Sequence, residues 1–216
     1  MKYRVDNTEV FLDVIGESIL GGDYCLIDCD DDLTKDSGWG AQGFVVSPIL
    51  EEDVLAVLQN GVANLVCEGL KSAGVTFNPL FFTLEKYHDY CRDSADHLKV
   101  LHFLRLKSEV YNLPINHSIL DEKVSEICGT AVSCKVPGQI ASGYFFIRIV
   151  RPSPYQDNNP PHKDVWLDRL RNAINLYIPL AGSNENSSLS LVPGSHLWME
   201  SDIARTRMGA LVNGVK

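Results

Sequence analysis

The chain has 216 residues, of which 45 % are apolar and 22 % charged, with a formal net charge of −9. This is the composition of an ordinary globular domain. No run is long and apolar enough to span a bilayer, and an acidic chain repels a phosphate backbone, so neither a membrane nor nucleic acid is an expected partner.

Residues 1–20, MKYRVDNTEVFLDVIGESIL, lack the basic start, apolar block and small-residue cleavage site of a secretory signal, which predicts a cytoplasmic protein. Six cysteines, Cys25, Cys29, Cys67, Cys91, Cys128 and Cys134, are scattered along the chain. Cys25 and Cys29 find no second pair to complete a zinc site, so reduced, partly buried thiols are expected. Residues 29–43 are polar and glycine-rich and read as a loop. A helix is predicted next. Ser47 is placed to cap it, Pro48 suits the first turn, and Glu51, Glu52 and Asp53 suit the positive end of the dipole. Val54, Leu58, Val62 and Leu65 recur at helical spacing, and Gly74 is a natural stop.

A second helical region covers 83–106, and a third covers 118–129, with Ser118 as cap and Gly129 as stop. The pattern changes near Thr130. YFFIRIV (144–150) and AINLYIPL (173–180) read as strands, LSLV (189–192) as a third, and MGALVNGVK (208–216) as the start of a fourth. Helices followed by short strands predict an α+β fold, helices packed on an antiparallel sandwich or barrel. The expected organisation is one domain over 1–216, with a mostly helical part (1–130) and a β part (131–216).

The chemistry-bearing stretch is NPPHKDVW, residues 159–166. In an extended segment His162 and Asp164, two apart, lie on one side, and one imidazole and one carboxylate can then bind the same metal. Two histidines and a carboxylate make the facial triad of non-haem Fe(II) oxygenases. An exposed histidine and aspartate without a ligand is the plain alternative for an isolated pair. In 173–180, Asn175 and Tyr177 share one face and Ile174, Leu176 and Ile178 the other. If the aliphatic face packs under the helices, Asn175 and Tyr177 point inward. Arg148 shares a face with Phe146 and Val150; facing a pocket it would require an anion, and the plain alternative is a surface arginine with its stem on the sheet.

The pair is not isolated. His162-Lys163-Asp164 is followed by Tyr177-Ile178-Pro179-Leu180, Asn184-Glu185-Asn186, Leu189 to Val192, and Pro193-Gly194-Ser195-His196. This ordered set, within residues 144–198, resembles the phytanoyl-CoA dioxygenase-like family of Fe(II)/2-oxoglutarate oxygenases. The opening GFVVSPILEEDVLAVL is also similar to that family's. The resemblance implies a double-stranded β-helix of jelly-roll or cupin-like form with packed N-terminal helices. It implies Fe(II) held by His162 and Asp164, 2-oxoglutarate and O2 as cosubstrates, and a small-molecule substrate hydroxylated with release of succinate and CO2. It assigns Tyr177, with Asn175 beside it, to 2-oxoglutarate, and leaves Arg148 as a candidate for an acidic cosubstrate or substrate group. The retained carboxylate of Asp164 favours hydroxylation over halogenation.

Two completions of the iron site stay open. In one, the six further strands that the family places after its HxD do not fit the three strand-like runs after Asp164, and the barrel is C-terminally incomplete. The second histidine and the cosubstrate arginine then lie outside this chain, which alone does not turn over 2-oxoglutarate appreciably. In the other, His196 is the third ligand and Arg205 or Arg207 binds the far carboxylate. A non-catalytic β-sandwich binding module retaining an HxD remnant and a cupin-type metal-dependent isomerase are the competing functions. Substrate identity and oligomeric state are not legible.

Overall fold

The computed structural model describes residues 2–5, 8–11, 14–15, 18–19, 21–27, 32–108, 113–134, 145–152, 157, 162–166, 170, 172–184, 187–203, 205–206 and 211–212. They divide between two units. One is made of Met1–Val46, Asn158–Tyr177 and Leu189–Lys216, the other of Ser47–Asp157 and Ile178–Ser188.

The second unit is helical. Helix α1 runs over Glu52–Ser72. Its predicted stripe is inside: Leu58, Val62 and Leu65 are buried, and Val54 packs against them in part. Each such side chain taken fully out of water contributes about 1.5–3 kcal/mol. The start is later than expected. Glu51, not Ser47, is the N-cap, and its carbonyl accepts the Leu55 N–H at 2.9 Å. Pro48 therefore lies outside the helix. The stop is as expected. Gly74 takes φ 79°, and the Gly74 and Val75 N–H groups donate to the carbonyls of Lys71 and Leu70.

The helical region expected over 83–106 is interrupted. Helix α2 (Tyr87–Tyr90) ends, and α3 (Ser94–Ser108) begins anew. The cause is Asp93. Its Oδ1 accepts the N–H groups of Ala95 and Asp96 at 2.8 and 3.0 Å, an N-cap that competes with continuation of the helix. Along α3, His97, Val100 and Leu104 are buried, at the i, i+3, i+7 spacing of one face, and the helix packs against α1. Helix α4 covers His117–Cys128. Asn116, one residue before it, is the cap, and Gly129 ends it in the left-handed region.

The expected double-stranded β-helix is not seen among the described residues. Among the described residues, none of 144–150, 173–180 or 189–192 lies in a paired strand. The paired backbone is elsewhere, in the first unit. β1 (Lys2–Val5) pairs with β2 (Thr8–Phe11), β3 (Val14–Ile15) with β6 (Leu211–Val212), and β4 (Ser18–Ile19) with β5 (Arg205–Thr206), all antiparallel and two-stranded. The described residues of the 131–216 part thus do not form the expected β core. The period-two pattern was nonetheless physical: Phe145, Ile147 and Ile149 pack against the helical core, while Phe146, Arg148 and Val150 are exposed. Alternation specifies which face of an extended segment is buried; a sheet also needs a partner edge, which alternation does not supply. No helix among the described residues is long and apolar enough to cross a membrane.

Candidate functional site

His162 Nε2 lies 3.3 Å from Asp164 Oδ1, and the two side chains are 41 % and 47 % exposed. The segment is not fully extended, since a 3-10 turn begins at Asp164 and runs to Trp166, closed by the Trp166 N–H on the Lys163 carbonyl. The two donor atoms still meet on one side. The Asn175 side-chain amide donates to Asp164 Oδ2. One carboxylate oxygen is therefore held by an amide and the other faces the imidazole.

This spacing fits the chemistry of a metal pair. Two donors bound at right angles to one first-row ion, each at roughly 2.0–2.2 Å, lie about 3 Å apart. The half-exposed flank leaves room for other ligands.

Beneath the pair lies a carboxylate that the sequence did not single out. Glu200 is fully buried. Its Oε1 accepts from Lys163 Nζ at 3.2 Å and its Oε2 from Trp166 Nε1 at 2.9 Å. Lys163 Nζ also donates to the Trp198 carbonyl at 2.8 Å. Lys163 and Trp166 thus turn inward while His162 and Asp164 stay outside. A signal was present: in an HxD segment the middle residue faces away from the pair, so a lysine there asks for a carboxylate on the other side.

The other expected residues are dispersed. The His196 Nε2 bonds the Gly40 carbonyl at 2.9 Å, and its Nδ1 is buried without a hydrogen-bond partner. Among the described residues, no three His, Cys, Asp or Glu side chains converge as a metal set. Tyr177 is 53 % exposed, so of the two expected cosubstrate residues only Asn175 is seen bonded to the pair. Arg148 is exposed, with Nη2 at 3.5 Å from the Asp157 carbonyl. Arg207 lies outside the described residues, and Arg205 is in β5.

Among the described residues Arg151, three positions beyond Arg148, is a buried arginine. It follows Phe145, Ile147 and Ile149 on the inward parity and is 3 % exposed. The anion that such a residue requires is Asp157, at 2.7 Å from Nε and 2.9 Å from Nη2. Nη1 reaches the carbonyls of Cys91, Arg92 and Asp93 at the break between α2 and α3. His97 adds its Nε2 at 3.6 Å from Asp157, and its Nδ1 is 2.9 Å from the Tyr87 hydroxyl. If Tyr87 donates to Nδ1, the imidazole proton stays on Nε2, facing the carboxylate. Burial pushes the Tyr87 hydroxyl and the Cys91 thiol well toward their neutral forms. This cluster is satisfied within itself and ties the 145–151 segment to the helices.

No family model, curated protein or solved structure matches the chain.

Proposed function

We propose that the chain is an Fe(II)/2-oxoglutarate-dependent oxygenase acting on a small organic substrate, with His162 and Asp164 as two of its iron ligands. The observation that supports this reading is the 3.3 Å approach of His162 Nε2 to Asp164 Oδ1, with the second carboxylate oxygen engaged by Asn175. The ordered motifs that follow Asp164 point the same way. The bound ion would supply O2 activation coupled to decarboxylation of 2-oxoglutarate. The chain's own residues do the rest. His162 would offer an imidazole nitrogen and Asp164 a carboxylate oxygen, and Asn175 holds the carboxylate so that one oxygen stays toward the imidazole. Among the described residues, the thiols of Cys25, Cys67, Cys91 and Cys128 suit a reducing compartment, the cytoplasm.

Anaerobic calorimetry with Fe(II), with and without 2-oxoglutarate, tests the reading, together with succinate formation in air. Fe(II) should bind the wild type more tightly when 2-oxoglutarate is present, and His162→Ala or Asp164→Ala should abolish binding. Fe(II) binding that survives both substitutions overturns the assignment. A site indifferent to 2-oxoglutarate keeps the metal and removes the oxygenase.

A further inference from the structure

We propose that Glu200 is a positioning residue for the His162–Asp164 pair, setting from beneath the turn on which both are mounted. The inference rests on the metal reading of that pair. Three observations carry it. Glu200 is sealed from solvent, yet each of its two oxygens takes a different residue of the same turn, Lys163 and Trp166. These residues bracket Asp164 in sequence, so fixing them fixes the direction in which Asp164 and its neighbour His162 leave the backbone.

The backbone that carries Glu200 is itself held from behind. The Glu200 N–H donates to the Tyr24 carbonyl at 2.9 Å, the Gly21 N–H to the Glu200 carbonyl at 3.0 Å, and the Ser201 N–H to the Gly22 carbonyl at 3.1 Å. A side chain at Gly21 would collide with the Glu200 Cβ, so the 21–24 segment presses directly on the anchor. A buried ion pair can be replaced as a whole by apolar packing at little cost in stability. A buried carboxylate that instead grips both flanks of a candidate ligand specifies geometry, as groups behind metal ligands do.

The test uses the full chain and Co(II) alone, a first-row ion taken by the same donors. Affinity and the visible ligand-field spectrum are read beside a thermal melt. In Glu200→Gln the Trp166 bond can persist while the charge on Lys163 loses its partner. Should that variant fold poorly, Lys163→Met with Glu200→Gln removes both charges and restores balance. We expect the folded variant, single or double, to bind Co(II) about 10- to 100-fold more weakly with an altered spectrum. A group serving structure alone would change the melt and leave the folded fraction with wild-type affinity and spectrum. Gly21→Ala, which shifts Glu200 without touching charge, should weaken Co(II) in the same sense. Wild-type affinity in the folded Glu200 variants, with His162→Ala still losing the metal, overturns the positioning role and leaves the metal reading standing. Co(II) binding that His162→Ala and Asp164→Ala do not affect overturns both.

Discussion

Arg151 and Asp157 meet through two parallel contacts, Nε to Oδ2 at 2.7 Å and Nη2 to Oδ1 at 2.9 Å. Asp157 also accepts the Arg151 backbone N–H at 2.9 Å. The guanidinium is sealed, so removing its partner strands a charge out of water. Asp157→Ala is expected to destabilise the chain by about 3–5 kcal/mol, whereas replacing both residues by apolar ones of similar volume should cost far less. Urea unfolding midpoints of the single and paired variants decide this. A loss below roughly 1 kcal/mol for Asp157→Ala would place the pair in the class of exposed ion pairs.

The same cluster predicts how stability depends on pH. Burial lowers the pKa of His97 below the ordinary 6.5; the Asp157 carboxylate opposes this, and Arg151 adds to it. As pH falls below about 6.5 the unfolded chain takes up this proton before the folded one, so stability is lost from there down to the depressed folded value. Burial alone would raise Asp157, but hydrogen bonds from Arg151 and the charges of His97 and Arg151 outweigh it and hold the carboxyl below 3.8. Its contribution is full above that value and disappears as pH falls through the folded one. Melting temperature should therefore fall in two stages on acidification, and His97→Gln should remove the upper stage and keep the lower. An unchanged upper stage in that variant would assign it to another group.

Two glycines should respond to alanine for opposite reasons. Gly74 sits at φ 79° with open space where a Cβ would go, so Gly74→Ala pays only for left-handed backbone, about 1–2 kcal/mol. Gly61 lies inside α1, where alanine is worth up to about 1 kcal/mol more than glycine, but its Cβ would lie 2.6 Å from the Pro114 ring. Gly61→Ala should destabilise, and Pro114→Ala beside it should recover much of the loss. A double-mutant cycle measures that coupling, which Gly74→Ala should not show.

At the candidate metal site, Asn175→Ala releases one oxygen of Asp164 while leaving both proposed ligands. Co(II) affinity should fall by about 10-fold, against complete loss in Asp164→Ala. Equal affinities for wild type and Asn175→Ala would show that the amide does not orient the carboxylate.

What could be read from the chain was local. The α1 stripe and the stops at Gly74 and Gly129 depend on residues within a turn or two of one another, and the structure keeps them. The caps shifted, from Ser47 to Glu51 and from Ser118 to Asn116, because several nearby residues can do that work and tertiary packing selects among them. The alternation in 144–150 was legible as a period; which face turns inward was not, nor was the sheet, since pairing joins distant residues. Arg151 lies next to Pro152, one residue past the 144–150 run, although it continues the inward parity. His162 and Asp164 are together because they are near in sequence. Lys163 signals a carboxylate opposite the pair but does not say which one, for the converse reason: Glu200 lies 34 and 37 residues from its partners.

That separation also bears on the order of folding. The carbonyls that Arg151 gathers are 58 to 60 positions away in the chain, whereas a helix such as α3 closes its own bonds over four residues. Helices form within about a microsecond, while contacts across such spans wait on slower loop closure and docking. The clasp on the α2–α3 break should therefore close late, after α1 and α3 have found each other. An Arg151→Met chain should gain its helices at nearly the wild-type rate and unfold faster, the kinetic mark of an interaction absent from the transition state.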